Sequence, residues 1–202
     1  MSIRVNFDLD GTIIDSQQSV QSAMLEALHN CGRNIKNVSA NGETLDKIIS
    51  NLGIYDLDIQ NQIKDNFKKI YDQKYCLSAV IFPGMIDLLN KLSIDGVVLN
   101  LITNKRTLPT QKIIRYFKLN SYFDNICSID SFFECDSKAK MLEKYFNEDD
   151  ENIYIGDLYQ DYEAANSSGY SFYHVDWGYG TRSSNYQTFL NPDDLYKVLT
   201  CK

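Results

Sequence analysis

Short runs rich in β-branched and aromatic residues recur along this chain, with helical patterns between them. That alternation restricts the fold more than any other feature. The runs are IRVNFD (Ile3 to Asp8), GVVLNLIT (Gly96 to Thr103), NICSID (Asn125 to Asp130), NIYIGD (Asn152 to Asp157) and YSFYHVD (Tyr170 to Asp176). Strands joined through helices pair in parallel, because a parallel connection needs a crossover long enough to hold a helix. The first run alternates apolar and polar residues, while the second is nearly continuous in apolar ones, as a strand covered on both faces requires. The expected class is therefore α/β, with a parallel sheet flanked by helices.

The intervening helices carry their own signals. GMIDLLNKLSIDG sets Ile86, Leu89 and Leu92 on one face and stops near Gly96. LPTQKIIRYFKL repeats Ile113, Ile114 and Phe117, and SKAKMLEKYF offers Ser137 as an N-cap. DYEAANSSG ends at Gly169, and NPDDLYKVL begins with Asn191 as cap, Pro192 at the first helical position and two acids in the first turn. From Gln17 to Ser78 the pattern is helical without a convincing strand: SVQSAMLEALHNCG closes at Gly32 and NGETLDKIISNLG runs from Asn41 or Thr44 to Gly53. A third helical stretch holds Ile59, Ile63, Phe67 and Ile70 in register. The expected organisation is a core of residues 1–16 and 79–202, interrupted by an all-helical insert at 17–78, with the core resuming at VIFPG (Val80 to Gly84).

Composition narrows the partners. The chain has 202 residues and a formal net charge of -7 without a dense Lys/Arg block, which argues against nucleic acid or an anionic membrane as partner. No apolar run reaches the ~18 residues of a membrane span, and the N-terminal stretch does not read as a signal peptide. Five cysteines in no metal-ligand spacing point to thiols in a reducing, cytoplasmic setting. Two histidines far apart in sequence, His29 and His174, give little support to a zinc site or a Ser/His hydrolase. Oligomeric state has no signature here.

The chemistry concentrates where the strand-like runs end. Ligands of open parallel sheets bind beyond the carboxyl ends of the strands. The first run delivers Asp8, with Asp10 and Gly11 on the turn beyond; another delivers Thr103 and Asn104; a third delivers Asp157, with Asp161 four residues on. Carboxylates gathered from separate strands call for a hard cation, and Mg2+ needs only a few protein oxygens because it keeps several waters. The candidate metal set is Asp8, Asp10 (through a main-chain carbonyl nearby), Asp157 and Asp161. The metal in turn calls for an anionic substrate, and phosphate is the natural one. Thr103, the Asn104 N–H and backbone near Gly11 can donate to phosphate oxygens, and DSKAK offers Lys138 or Lys140 to balance charge, with Lys138 preferred because it opens the predicted helix. A carboxylate is a competent covalent nucleophile.

Together these residues resemble the haloacid dehalogenase (HAD) superfamily, in its phosphoglycolate-phosphatase-like branch with a helical cap. DLDGT (Asp8 to Thr12), LITNK (Leu101 to Lys105), Lys138 and GDLYQD (Gly156 to Asp161) match its motifs in order, and FPGMIDLLNKL and DWGYG resemble further segments. The resemblance implies a Rossmann-like core with a cap domain, Mg2+ as cofactor and a small phosphorylated metabolite as substrate. It further implies that Asp8 accepts the phosphoryl group, Asp10 is acid then base, Thr103 and Lys138 hold the phosphoryl group, and Asp157 and Asp161 serve the metal. Lys138 departs from the Lys-Pro of many relatives, being followed by Ala139. Asp15 reads as a cap or flap residue, Trp177 and Tyr179 as a packed loop, and Lys105 as either a phosphate contact or a solvated lysine. A sugar phosphomutase on the same core is the rival enzyme, and a non-catalytic binding protein of the same fold is the alternative outside catalysis.

Overall fold

The computed structural model describes residues 2–133 and 137–200. Of the residues discussed above, Met1, Cys135, Asp136 and Cys201 lie outside the described residues. The chain divides into two compact units, Met1–Asp15 with Ile81–Lys202 and Ser16–Val80. It opens with β1 (Ser2–Phe7) and the short β2 (Ile14–Asp15). It then forms α1 (Gln17–Asn30), α2 (Leu45–Asn51) and α3 (Leu57–Ile70), followed by a π-helical turn at Tyr71–Tyr75 and a 3-10 turn at Cys76–Ser78. The remainder runs β3 (Val80–Ile81), α4 (Met85–Ile94), β4 (Val98–Thr103), α5 (Thr107–Tyr116), β5 (Asn125–Ser128), α6 (Lys138–Tyr145), β6 (Asp150–Gly156), α7 (Tyr159–Ser167), β7 (Ser171–Val175), β8 (Gln187–Phe189) and α8 (Pro192–Thr200).

Six strands form one sheet in the order β5-β4-β1-β6-β7-β8, and every pairing is parallel. The fold is thus α/β and Rossmann-like. The central strands bury Val5, Phe7, Leu99, Leu101, Ile153 and Ile155 completely. The chain steps from β1 outward to β4 and β5, then returns through α6 to β6 on the other side of β1. Right-handed crossovers in opposite directions put successive helices on opposite faces of the sheet. They also open a crevice at the carboxyl end of β1, where the strand order reverses.

Helix ends follow the local chemistry. Ser137 Oγ accepts the Lys140 N–H to start α6, and Asn191 Oδ1 accepts the Asp194 N–H at 2.9 Å to start α8. In α4 the buried stripe is Met85, Leu88, Leu89 and Leu92, leaving Ile86 at its half-buried margin. Strand β8 escapes the sequence pattern because three residues are too few to display a period. Its place is set by parallel pairing with β7 and by Phe189 packing on Tyr173, ring centroids 5.2 Å apart. The segment at Val80 belongs to a separate two-stranded ribbon of β2 and β3 rather than to the main sheet.

The helical unit holds its own apolar centre. α1 buries Ala23, Met24, Ala27 and Leu28; α3 buries Ile63 and Phe67, with Phe67 stacked on Tyr71 at 5.4 Å. Thr44 caps α2, and Asp56 caps α3 by accepting the Asp58 and Ile59 N–H groups. Glu26 accepts from both Lys74 and Tyr75 at 2.6 and 2.8 Å, tying the π-helical turn to α1.

An asparagine ladder, buried at Asn6 and Asn100 and exposed at Asn125, crosses the main sheet. Asn6 lies opposite Asn100, and Asn100 opposite Asn125. Asn125 Nδ2 donates to Asn100 Oδ1 and Asn100 Nδ2 to Asn6 Oδ1, both at 2.9 Å, and Asn6 Nδ2 donates to the Ile153 carbonyl at 3.1 Å. Asparagine is a poor strand former; here each amide is satisfied only when four strands keep this register. A one-residue slip would strand the buried amides of Asn6 and Asn100 without water, at a cost of about 1–3 kcal/mol each. Asn100→Ala should therefore destabilise the protein by about 1–3 kcal/mol, read as a lower urea midpoint at unchanged slope.

Candidate active site

Three neighbouring strands converge on one rim. Asp8 follows β1 directly, its N–H continuing the ladder to the Ile155 carbonyl at 2.9 Å. Thr103 is the last residue of β4, and Asp157 follows β6. Because β4 and β6 are the two neighbours of β1, their ends lie on either side of Asp8. All three side chains are buried.

Lys138, the first residue of α6, enters this group with its side chain only 7% exposed. Its Nζ donates to Asp8 Oδ1 at 2.9 Å and also to Asp161 Oδ1. Asp161 Oδ2 accepts the Leu158 N–H at 3.0 Å, so this carboxylate caps α7 and faces Lys138 at once. Below them Tyr154 donates its hydroxyl to the Ile102 carbonyl at 2.9 Å, with its ring 5.4 Å from the Lys138 ammonium. Lys140 is exposed, so the buried lysine of this segment is Lys138.

Carboxylate oxygens of Asp8, Asp157 and Asp161 all lie within 4.8 Å of one another. Burial pushes the Asp8 carboxyl up to about 6, against the opposing pull of Lys138. Burial also pushes Asp157 up to about 8, with the Asp161 charge adding to it and the Tyr179 N–H opposing it. Burial works against the Lys138 ammonium, but Asp161 and Asp8 override it and hold its pKa well above the ordinary range. Three carboxylates against one ammonium leave two negative charges when all are ionised. Asp157 Oδ2 accepts the Tyr179 N–H at 2.7 Å, while its Oδ1 is buried with no hydrogen-bond partner among the described residues. A buried oxygen of this kind costs free energy unless something meets it. The donor set is all oxygen, close-set and short of two positive charges, which fits a divalent hard cation such as Mg2+.

The turn after β1 supplies the remaining parts. Gly11 has φ +78, and a Cβ there would overlap the Asp157 carboxylate, so only glycine lets this loop pass. Asp10 does not join the three clustered carboxylates through its side chain; its Oδ1 accepts from Lys105 Nζ at 2.9 Å. Thr103 Oγ1 accepts the Lys105 N–H at 3.2 Å, and Asn104 beside it is exposed.

The loop after β7 closes the far side. Trp177 Nε1 donates to the Thr12 carbonyl at 2.9 Å, and the Tyr179 hydroxyl donates to Asp15 Oδ1 at 3.1 Å. A Cβ at Gly180 would overlap the Asp157 carbonyl, which is how this loop comes close enough for the Tyr179 N–H to reach Asp157. Sequence reading did not find Tyr154 or the pairing of Lys105 with Asp10. Tyr154 looks like any strand aromatic, and no spacing rule links positions 95 residues apart. The closely spaced glycines of DWGYG were the one available signal for the loop.

Such an arrangement can present an ionised carboxylate to an electrophile, keep an ammonium beside it, and place a second acid two residues further on. The chain is 28% identical over 211 residues to the phosphoglycolate phosphatase of Aquifex aeolicus (strain VF5), covering 96% of this chain and 94% of that protein. It shares its fold with a predicted phosphatase from Clostridium acetobutylicum, at TM-score 0.85 and 24% identity over the full length of both chains. It also shares it with Protein Tyrosine Kinase A (PtkA) of Mycobacterium tuberculosis, at TM-score 0.83 and 22% identity, covering 98% of this chain and 99% of that one. The family model for haloacid dehalogenase-like hydrolases matches residues 5–175. The chain belongs to the haloacid dehalogenase-like hydrolase family.

Proposed function

We propose that this protein is a magnesium-dependent phosphatase that hydrolyses a small phosphorylated metabolite through an aspartyl-phosphate on Asp8. The observation that carries the reading is the buried Lys138 ammonium against Asp8 and Asp161, with the unpartnered Asp157 oxygen beside them. Several curated relatives are phosphoglycolate phosphatases, which supports a phosphoric monoester hydrolase acting on a small substrate and favours hydrolysis over the phosphomutase alternative.

In the proposed reaction Asp8 attacks phosphorus, the bond from phosphorus to the leaving oxygen breaks, and Asp10 gives that oxygen its proton. The leaving group departs as an alcohol. Asp10, now ionised, takes a proton from water as the water oxygen attacks phosphorus, releasing phosphate and restoring the Asp8 carboxylate. Lys138 and the Thr103 hydroxyl hold the phosphoryl oxygens, helped by the Asn104 N–H and by backbone near Gly11. Splitting one displacement into two in this way lowers each barrier, and most of the rate comes from positioning and neutralised charge. Asp8, Asp157 and a main-chain carbonyl near Asp10 would hold Mg2+. Asp161 would act through water, because both its oxygens already have partners. When bound, Mg2+ supplies charge neutralisation for the phosphoryl oxygens. The helical unit is proposed as a cap that selects the leaving group. A cytoplasmic setting belongs to the same reading, resting on the odd number and irregular spacing of the cysteines.

A phosphate-release screen over small phosphate esters, run with Mg2+, tests the activity. Free phosphate should appear with at least one of them; isomerised sugar phosphate without phosphate release would indicate the mutase instead. Asp8→Asn should abolish turnover in a protein with an unchanged circular dichroism spectrum, because the amide cannot form an acyl phosphate. Asp10→Asn should slow turnover by about 10²- to 10⁴-fold; a loss under about twofold would remove it from acid/base work. Mg2+ at about a hundred times its dissociation constant should stabilise the fold by about 2.7 kcal/mol, read as a thermal shift that EDTA reverses. Asp157→Asn should lose that shift.

A further inference from the structure

Lys105 lies outside the buried charge cluster, yet it is not a solvated surface lysine. Its side chain is only 9% exposed, and its Nζ donates to Asp10 Oδ1 at 2.9 Å, while Asp10 itself is 24% exposed. The two residues come from different strand ends, Asp10 from the turn after β1 and Lys105 from just beyond β4. Lys105 is anchored at its main chain, where its N–H donates to Thr103 Oγ1 at 3.2 Å. That bond uses an acceptor lone pair of the threonine and leaves the hydroxyl hydrogen available to donate elsewhere. A charge-assisted bond between partly enclosed groups fixes geometry better than an exposed pair, which contributes little.

An acid that must give a proton to one oxygen and then take one from water needs a defined rotamer through both steps. Asp10 lies between β1 and β2 and its side chain is a quarter exposed, so water can reach it while Lys105 holds it. We propose that Lys105 is a positioning residue for Asp10: its ammonium donates to Oδ1 at 2.9 Å, a contact that this oxygen can accept whether the carboxyl is protonated or ionised, without itself binding the transferred phosphoryl group. The proposal rests on the reading of Asp10 as acid and base given above. Because Thr103 anchors the Lys105 main chain, the phosphoryl-holding hydroxyl and the acid/base group are tied into one relay across two strand ends.

Steady-state kinetics of Lys105→Met, Lys105→Arg, Asp10→Asn and the Asp10→Asn/Lys105→Met double variant test this. Two substrates are compared: an alkyl phosphate, whose leaving oxygen needs a proton, and p-nitrophenyl phosphate, whose leaving group departs readily without one. Lys105→Met should lower kcat on the alkyl ester by about 10- to 100-fold, the scale seen when an orienting partner is removed, with KM within about twofold. The loss of kcat/KM, which reports the first half-reaction alone, should be several-fold smaller on p-nitrophenyl phosphate, and Lys105→Arg should recover most of it. In the Asp10→Asn background the lysine substitution should cost less than about twofold, since no carboxylate remains to be held. A raised KM with unchanged kcat, equal losses of kcat/KM on the two esters, or losses that multiply in the double variant would each overturn the proposal. Asp10→Asn that is itself as active as the parent would overturn both this inference and the acid/base reading. Lys105 effects that are independent of an essential Asp10 would overturn this inference alone.

Discussion

The contact on which the rest of the site depends is the buried ammonium of Lys138 lying against two carboxylates, Asp8 and Asp161. Taking any one of these charges out of water costs several kcal/mol, and removal of one partner from a buried pair typically costs about 3–5 kcal/mol. The cluster therefore survives only as a set. Asp157 stands beside it with a buried oxygen that has no hydrogen-bond partner among the described residues, and burial pushes its carboxyl up to about 8. A fold gains no stability from such an arrangement. Its retention makes sense when a divalent cation and a phosphoryl group complete the electrostatics, which is the role proposed for it.

The sheet is what brings these groups together. The order β5-β4-β1-β6-β7-β8 puts β1 between the strands that end in Thr103 and Asp157, so Asp8 emerges with both as lateral neighbours. A register error of one residue between β1 and β4 would turn Asp8 or Thr103 away from the crevice. The asparagine ladder through Asn6, Asn100 and Asn125 opposes such an error, because its amides pair only in the observed alignment. Arg4 and Asp150 add an ion pair of 2.9 Å near the start of β1 and β6. Polar groups inside the sheet thus contribute specificity of alignment more than net stability.

Two lysines divide the electrostatic work. Lys138 is enclosed and meets two acids; Lys105 meets Asp10 at a more exposed position, where Asp10 keeps access to solvent. The proposed chemistry asks for that difference. The nucleophile must be desolvated and held, whereas the acid/base group must exchange protons with water between the two half-reactions.

The linear chain determined the class of the fold and drew attention to the residues proposed to carry the chemistry. Strand runs alternating with helices imply a parallel sheet by sterics and handedness alone, and Asp8, Thr103 and Asp157 were legible because each sits where such a run ends. Ser137 and Asn191 announced their helices through capping chemistry that acts over three residues. Other features were decided only in three dimensions. The burial of Lys138 and the exposure of Lys140 emerged there, as did the pairing of the Asp10 side chain with Lys105 rather than its joining Asp8, Asp157 and Asp161. The part played by Tyr154 and by the Tyr179 N–H also required the strands to be assembled. These are contacts between residues far apart in the chain, and local pattern carries information only over the few residues that one turn of helix or one strand can couple.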